Sequence, residues 1–138
     1  MIIDAKDLIL GRLSSFVAKK ALLGEDIKII NCEEAVISGS EDNILDRYFK
    51  KLARGHPRWG PFIYRHEDKF VKRVIRGMIP YRRERGKNAM KRIRCYTGIP
   101  QDLQGKKFDT IQEAHVDNMK NLKYLKVKDV CKFLGKTE

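Results

Sequence analysis

MIIDAKDLILGRLSSFVAKKALLGEDIKIINC, residues 1–32, decides the fold class. Met1–Ile3 can extend as a short strand. Leu10, Leu13, Val17 and Ala21 then recur at helical spacing, with Phe16 widening the stripe, and Gly24 closes the helix. Ile27–Cys32 is a compact β-branched run suited to a buried parallel strand. Two strands joined by a crossover helix within about 30 residues pair in parallel, because antiparallel neighbours need only a tight turn. The expected class is α/β.

The rest of the 138 residues fit one domain in three parts. Residues 1–37 make the β-α-β start, 38–100 a basic helical part and 101–138 a C-terminal loop and helix. Ser38 and Glu41 have capping-box spacing for the helix that follows. There Leu45, Tyr48, Phe49 and Leu52 mark a buried face, and Arg47, Lys50, Lys51 and Arg54 repeat the spacing two residues on. Two residues are about 200° of helix, so the cations point away from the core. The arrangement recurs with Val71, Val74, Ile75 and Met78 against Lys69, Lys72, Arg73 and Arg76, up to a stop or kink at Pro80. A third helical run has Gly86, Ala89, Met90 and Ile93 on its core side. Arg85, Lys87, Lys91, Arg92 and Arg94 flank that side. Residues 101–121 read as a polar loop, and Val127, Val130, Cys131 and Leu134 as a last amphipathic helix.

The net charge of +12 is unevenly placed. Residues 1–46 carry 5 basic and 9 acidic side chains, 47–94 carry 17 and 3, and 95–138 carry 8 and 6. A block of this kind faces a polyanion. A solvated helix face mixes signs, because opposite charges at i,i+4 contribute about 0.2–0.5 kcal/mol and like charges cost a similar amount. Here Arg47–Lys51, Lys50–Arg54, Lys69–Arg73, Lys72–Arg76, Arg83–Lys87 and Lys87–Lys91 set like against like. Phosphates would relieve them. Between the first two basic helices, RGHPRWGPFIYRH (54–66) interleaves Arg58 and Arg65 with Trp59, Phe62 and Tyr64. Arginines among aromatics suit RNA, whose unpaired bases stack on rings and guanidinium planes. Trp59 either stacks on a base or packs the loop onto the domain.

Other classes have less behind them. Glu33 and Glu34 after the second strand resemble the start of a dinucleotide-binding fold, but G-x-G-x-x-G and G-x-x-x-x-G-K-[ST] are both missing. His56, His66 and His115 lack metal-ligand spacing, so neither metal nor cofactor is expected. Cys32, Cys95 and Cys131 form no C-x-x-C pair, which fits a reducing cytosol, and Cys32 reads as buried filler rather than a nucleophile. MIIDAKD has no apolar signal core, and no run approaches the roughly 18 apolar residues of a membrane span. A membrane-surface role would need the apolar stripes free for lipid, whereas a domain this small needs them in its core.

The phrases LGRLSS (10–15), ISG (37–39), RWGPF (58–62) and RGMIPYRRERGKNAMKRIRCYTGIP (76–100) resemble the family of ribosomal protein thirteen of the large subunit, over about residues 1–100. TGIPQDLQG stands where the bacterial form has an HPH-like segment, so the resemblance is to the archaeal and eukaryotic branch. No long basic C-terminal extension follows, which favours an archaeal source. The resemblance implies a three-layer α/β/α domain with a parallel sheet of about four strands, no catalysis, and a cytoplasmic monomer within the large ribosomal subunit. It also implies contact with large-subunit rRNA and neighbouring ribosomal proteins, and a part in early subunit assembly. It assigns rRNA contact to Arg82, Arg83, Arg85, Lys87, Lys91 and Arg92, and to the loop with Arg58, Trp59 and Arg65. It implies no membrane and no small-molecule substrate.

Overall fold

The computed structural model describes residues 1–136. In chain order the elements are β1 (Ile2–Asp4), α1 (Leu10–Leu22), β2 (Ile27–Ile30), β3 (Val36–Ser38), α2 (Glu41–Ala53), α3 (Glu67–Gly77), α4 (Glu84–Lys91), β4 (Ile93–Cys95), β5 (Tyr124–Lys126) and α5 (Val127–Phe133). Short 3-10 turns lie at Cys32–Glu34, Gln101–Leu103, Gln112–Ala114 and Val116–Asn118.

The first 30 residues fold as their pattern requires. Leu10, Leu13, Val17, Ala18 and Ala21 bury one face of α1, Lys19 and Lys20 sit at its negative C-terminal end, and the chain turns at Gly24. β2 returns beside β1 in parallel, Ile3 opposite Ile29. β4 joins the far side of β2, also in parallel, giving the order β1-β2-β4. This is the expected α/β class, with three strands. In the place of a fourth, Asp109 bridges the free edge of β1: its N–H donates to the Ile2 carbonyl at 2.8 Å, and its own carbonyl accepts from Asp4 at 3.1 Å. β3 and β5 form a separate antiparallel pair.

Alternation divides the sheet into two unlike faces. Ile3, Ile27, Ile29 and Ile93 point into the main core with α1, α3 and α5, and each such side chain contributes about 1.5–3 kcal/mol when buried. The other face carries Lys28 beside Arg94. α4 is seated by Gly86, which is buried where a Cβ would run into the Pro80 carbonyl, so the close approach fixes the turn to the helix.

The structure departs from the pattern in five places. β2 stops at Ile30, because Asn31 is left-handed (φ 53°) and donates to the Asp4 carboxylate at 2.9 Å; Cys32 falls in the following turn. The capping box does not form: Ser38 ends β3, and Ser40 occupies the cap of α2 without a side-chain bond. Ile93 lies in β4 rather than at the end of a helix. β5 falls between the 101–121 loop and the last helix, where the pattern gives no element. Most consequential, only the first half of the α2 stripe packs on the core: Leu45 and Tyr48 are half-buried. Ile44 is buried, but Phe49 is 57% and Leu52 40% exposed. α2 docks by its first half, with Tyr48 against Phe70 (ring centroids 5.4 Å apart), and its second half projects. Met78, beyond α3, is exposed too.

Candidate nucleic-acid interface

Four depressions connect the basic residues. Tyr64, Lys69, Lys72, Arg73, Arg76 and Met90 line a groove between the 54–66 loop, α3 and α4. Lys69 and Lys72 continue into a second, with Arg94, Tyr96 and one carboxylate, Asp68, which makes no ion pair within 4 Å among the described residues. Arg94 continues into a third, with Lys91, Arg92, Lys28 and Asp26. On the other side Arg73 also borders a cleft with Lys51 and Arg54. The shared residues make one cationic track from the end of α2, along α3, onto the polar face of the sheet.

Few carboxylates answer this charge. Among the described residues, Lys50 is the one member of the basic set in an ion pair, to Asp46 at 2.8 Å. Three other glutamates are paired with lysines outside the set: Glu25 with Lys20 at 2.9 Å, Glu34 with Lys126 and Lys128, and buried Glu67 with Lys136 at 2.7 Å. Aromatic rings hold the cations instead. Arg76 lies 4.1 Å from the Tyr81 ring centroid with Arg82 at 5.9 Å, Arg73 is 5.3 Å from Tyr64, and Lys51 is 5.0 Å from Tyr48. A ring face orients a guanidinium without neutralising it and leaves its N–H edge free for an outside acceptor. Arg73 is fixed further by donating to the Phe62 carbonyl.

The like-charge spacings survive inside the helices for Arg47–Lys51, Lys69–Arg73, Lys72–Arg76 and Lys87–Lys91; Arg54 and Arg83 are flanking cap residues. The sheet adds a repulsion that helical spacing cannot reveal. Lys28 and Arg94 are register partners on adjacent strands, and like charges so placed destabilise a sheet. Lys28 escaped the sequence reading because it sits in the acidic first third. Its signal was the alternation of IKII, which turns it away from Ile27 and Ile29.

Not every expected residue joins the track. Arg47, Lys50 and Arg58 are exposed on α2 and the loop but line none of the four depressions described. Arg65 approaches Gly135 at the end of α5. Arg82, Arg83, Arg85 and Lys87 are exposed around the start of α4. Trp59 does not pack the loop down: it is 83% exposed at the tip of a turn in which His56 and Gly60 exchange backbone hydrogen bonds of 2.9 and 3.0 Å. A Cβ on Gly55 would collide with the Gly60 carbonyl, and its φ of 88° suits glycine, so this turn is held shut by the backbone.

The catalytic readings find their residues occupied. Gly11, the one glycine near the first strand-to-helix junction, lies inside α1. Glu33 accepts the Gly98 N–H at 3.0 Å, and Glu34 is bound to its lysines, which hold its carboxyl below the usual range. The hydrogen bond with the Cys95 thiol and burial push the Cys32 thiol up, so it stays protonated; burial pushes Cys131 up to about 12. Among the described residues no three His, Cys, Asp or Glu side chains gather as metal ligands, and no helix is long and apolar enough to cross a membrane.

A mixed α/β domain carrying a connected, unneutralised cationic track is the build of a protein that lies against a polyanion. The family described as ribosomal protein L13 matches residues 1–102, and the chain belongs to it; this is a structural ribosomal family, not a catalytic one. The chain is 43% identical to large ribosomal subunit protein uL13 of Methanosarcina barkeri, over 97% of this chain and 96% of the relative. It is 42% identical to the protein of that name from Archaeoglobus fulgidus, over 97% of this chain and 86% of the relative. The archaeal branch read from the motifs agrees with these relatives. Because Phe49 and Leu52 are exposed, core packing no longer argues against a membrane-surface role; family membership is what sets it aside.

Proposed function

We propose that the protein is a structural constituent of the large ribosomal subunit that binds its rRNA by phosphate neutralisation and shape, and that it contributes to early subunit assembly in the cytoplasm. The observation that carries this reading is the track from Lys51 to Arg92, cationic and free of ion pairs among the described residues, in a chain of a ribosomal family. Phosphate and ribose contacts from Arg54, Lys69, Lys72, Arg73, Arg76, Lys91, Arg92 and Arg94 position the domain without reading sequence. Arg82, Arg83, Arg85 and Lys87 extend the contact past α4, and Arg47, Lys50, Arg58 and Arg65 flank it. Exposed Trp59 supplies a stacking surface. Neutralising phosphates on more than one side lets rRNA segments that repel each other approach. Specificity then rests on RNA shape, and neighbouring ribosomal proteins complete the monomer's surroundings.

The test is co-sedimentation with large subunits under rising salt. The protein should stay bound until the particle itself loosens. Replacing Arg82, Arg83 and Arg85 by Glu should block incorporation with the fold intact, since all three side chains are exposed. Normal incorporation of the folded triple variant would remove this segment from the interface.

A further inference from the structure

The cleft of about 380 Å³ between the end of α2, the 61–64 segment and α3 combines two kinds of lining that seldom meet. Its inner wall is apolar and aromatic: Phe70 is buried, and Tyr48, Ile63 and Val74 are half-buried. Its exposed charged members, Lys51, Arg54 and Arg73, are all cationic, and no carboxylate lines it. An occupant that suits both walls is apolar at one end and anionic at the other. The volume falls in the usual range for small-ligand sites, roughly 300–1,000 Å³.

We propose that this cleft receives one unpaired nucleotide of the bound RNA, its base against Ile63, Val74 and the edge of the Tyr48 ring and its flanking phosphates on Lys51, Arg54 and Arg73. The proposal rests on the RNA-binding reading above. Arg73 borders both the cleft and the α3 groove, so a strand following the groove reaches the cleft mouth without leaving the cations. The site is also set in advance. Arg73 is held by the Phe62 carbonyl and the Tyr64 ring, and Lys51 lies over Tyr48. Little side-chain freedom remains to be lost on binding.

The test compares pentaadenylate with an abasic ribose-phosphate pentamer of equal charge, by fluorescence anisotropy at fixed salt. The parent should bind the base-bearing oligomer about tenfold or more tightly, the size that stacking one base gives. Gly77 lines the cleft, and a Cβ there meets nothing within 4 Å, so Gly77→Leu adds bulk at the cleft with no conflict at its Cβ. That variant should lose the preference and keep the abasic affinity, whereas Trp59→Ala should keep at least part of the preference. Equal binding of both oligomers by the parent would overturn the cleft and leave phosphate binding standing. Loss of the preference in Trp59→Ala with retention in Gly77→Leu would move the base to the loop tip and overturn it too. Binding of neither oligomer, together with failure to co-sediment with subunits, would remove the RNA reading itself.

Discussion

Replacing Lys69, Lys72 and Arg94 together by Gln should produce a protein that is no less stable yet grips RNA less. Lys69 and Lys72 repel Arg73 and Arg76 one turn on, and Arg94 repels Lys28 across the strand register. Each relieved helical pair returns about 0.2–0.5 kcal/mol, and the cross-strand pair about 0.2–1 kcal/mol. Less about 0.2–0.5 kcal/mol for the Asp68–Lys72 i,i+4 attraction that is lost, a stability gain of about 1 kcal/mol remains, read as a raised midpoint in denaturant with unchanged slope. Binding moves the other way. Each phosphate contact contributes about −0.9 to the slope of log affinity against log salt on duplex nucleic acid, so three lost contacts flatten the slope by about 2.7. Between 50 and 200 mM salt, parent affinity should then fall about forty-fold more than that of the variant. Anisotropy titrations against large-subunit rRNA at several salt concentrations measure both slopes. A variant with the parent's slope would refute the reasoning, because these cations would then be ordinary solvated surface.

Glu34→Gln should destabilise the protein by about 1 kcal/mol at neutral pH, since Glu34 ties Lys126 and Lys128 to the turn after β2. Those lysines lower the Glu34 carboxyl in the folded state, so its stabilisation is complete above the ordinary value near 4.5 and is lost as pH falls through the lowered one. Parent and variant melting curves should converge in acid; a gap that persists there would mean the loss came from packing instead. Gly86→Ala should cost about 1–3 kcal/mol through the clash with Pro80, and an unchanged denaturation midpoint would show that α4 is not seated as described.

The first 30 residues were readable because two rules agreed there: a 3.6-residue stripe lay between two β-branched runs. β4 was not, because a strand of three residues with exposed Arg94 at its centre cannot be told from the end of a basic helix. The periodicity of α2 was read correctly and its burial was not. An apolar stripe says which face could be buried, but only tertiary packing decides whether a partner covers it, and past Tyr48 α2 projects from the domain. The basic set was legible from charge and spacing. Its continuity was not: the link through Lys28 and Arg94 depends on strand register, and the cleft depends on α2 standing away from α3.

The central claim is that the unpaired cations of the middle third meet phosphate. A structure of the large subunit containing this protein measures that distance directly. Lys69, Lys72, Arg73, Arg76 and Arg94 should place nitrogen atoms within hydrogen-bonding reach of rRNA phosphate oxygens, about 2.7–3.2 Å. The same side chains turned to open solvent, with no nucleotide nearby, would contradict the account.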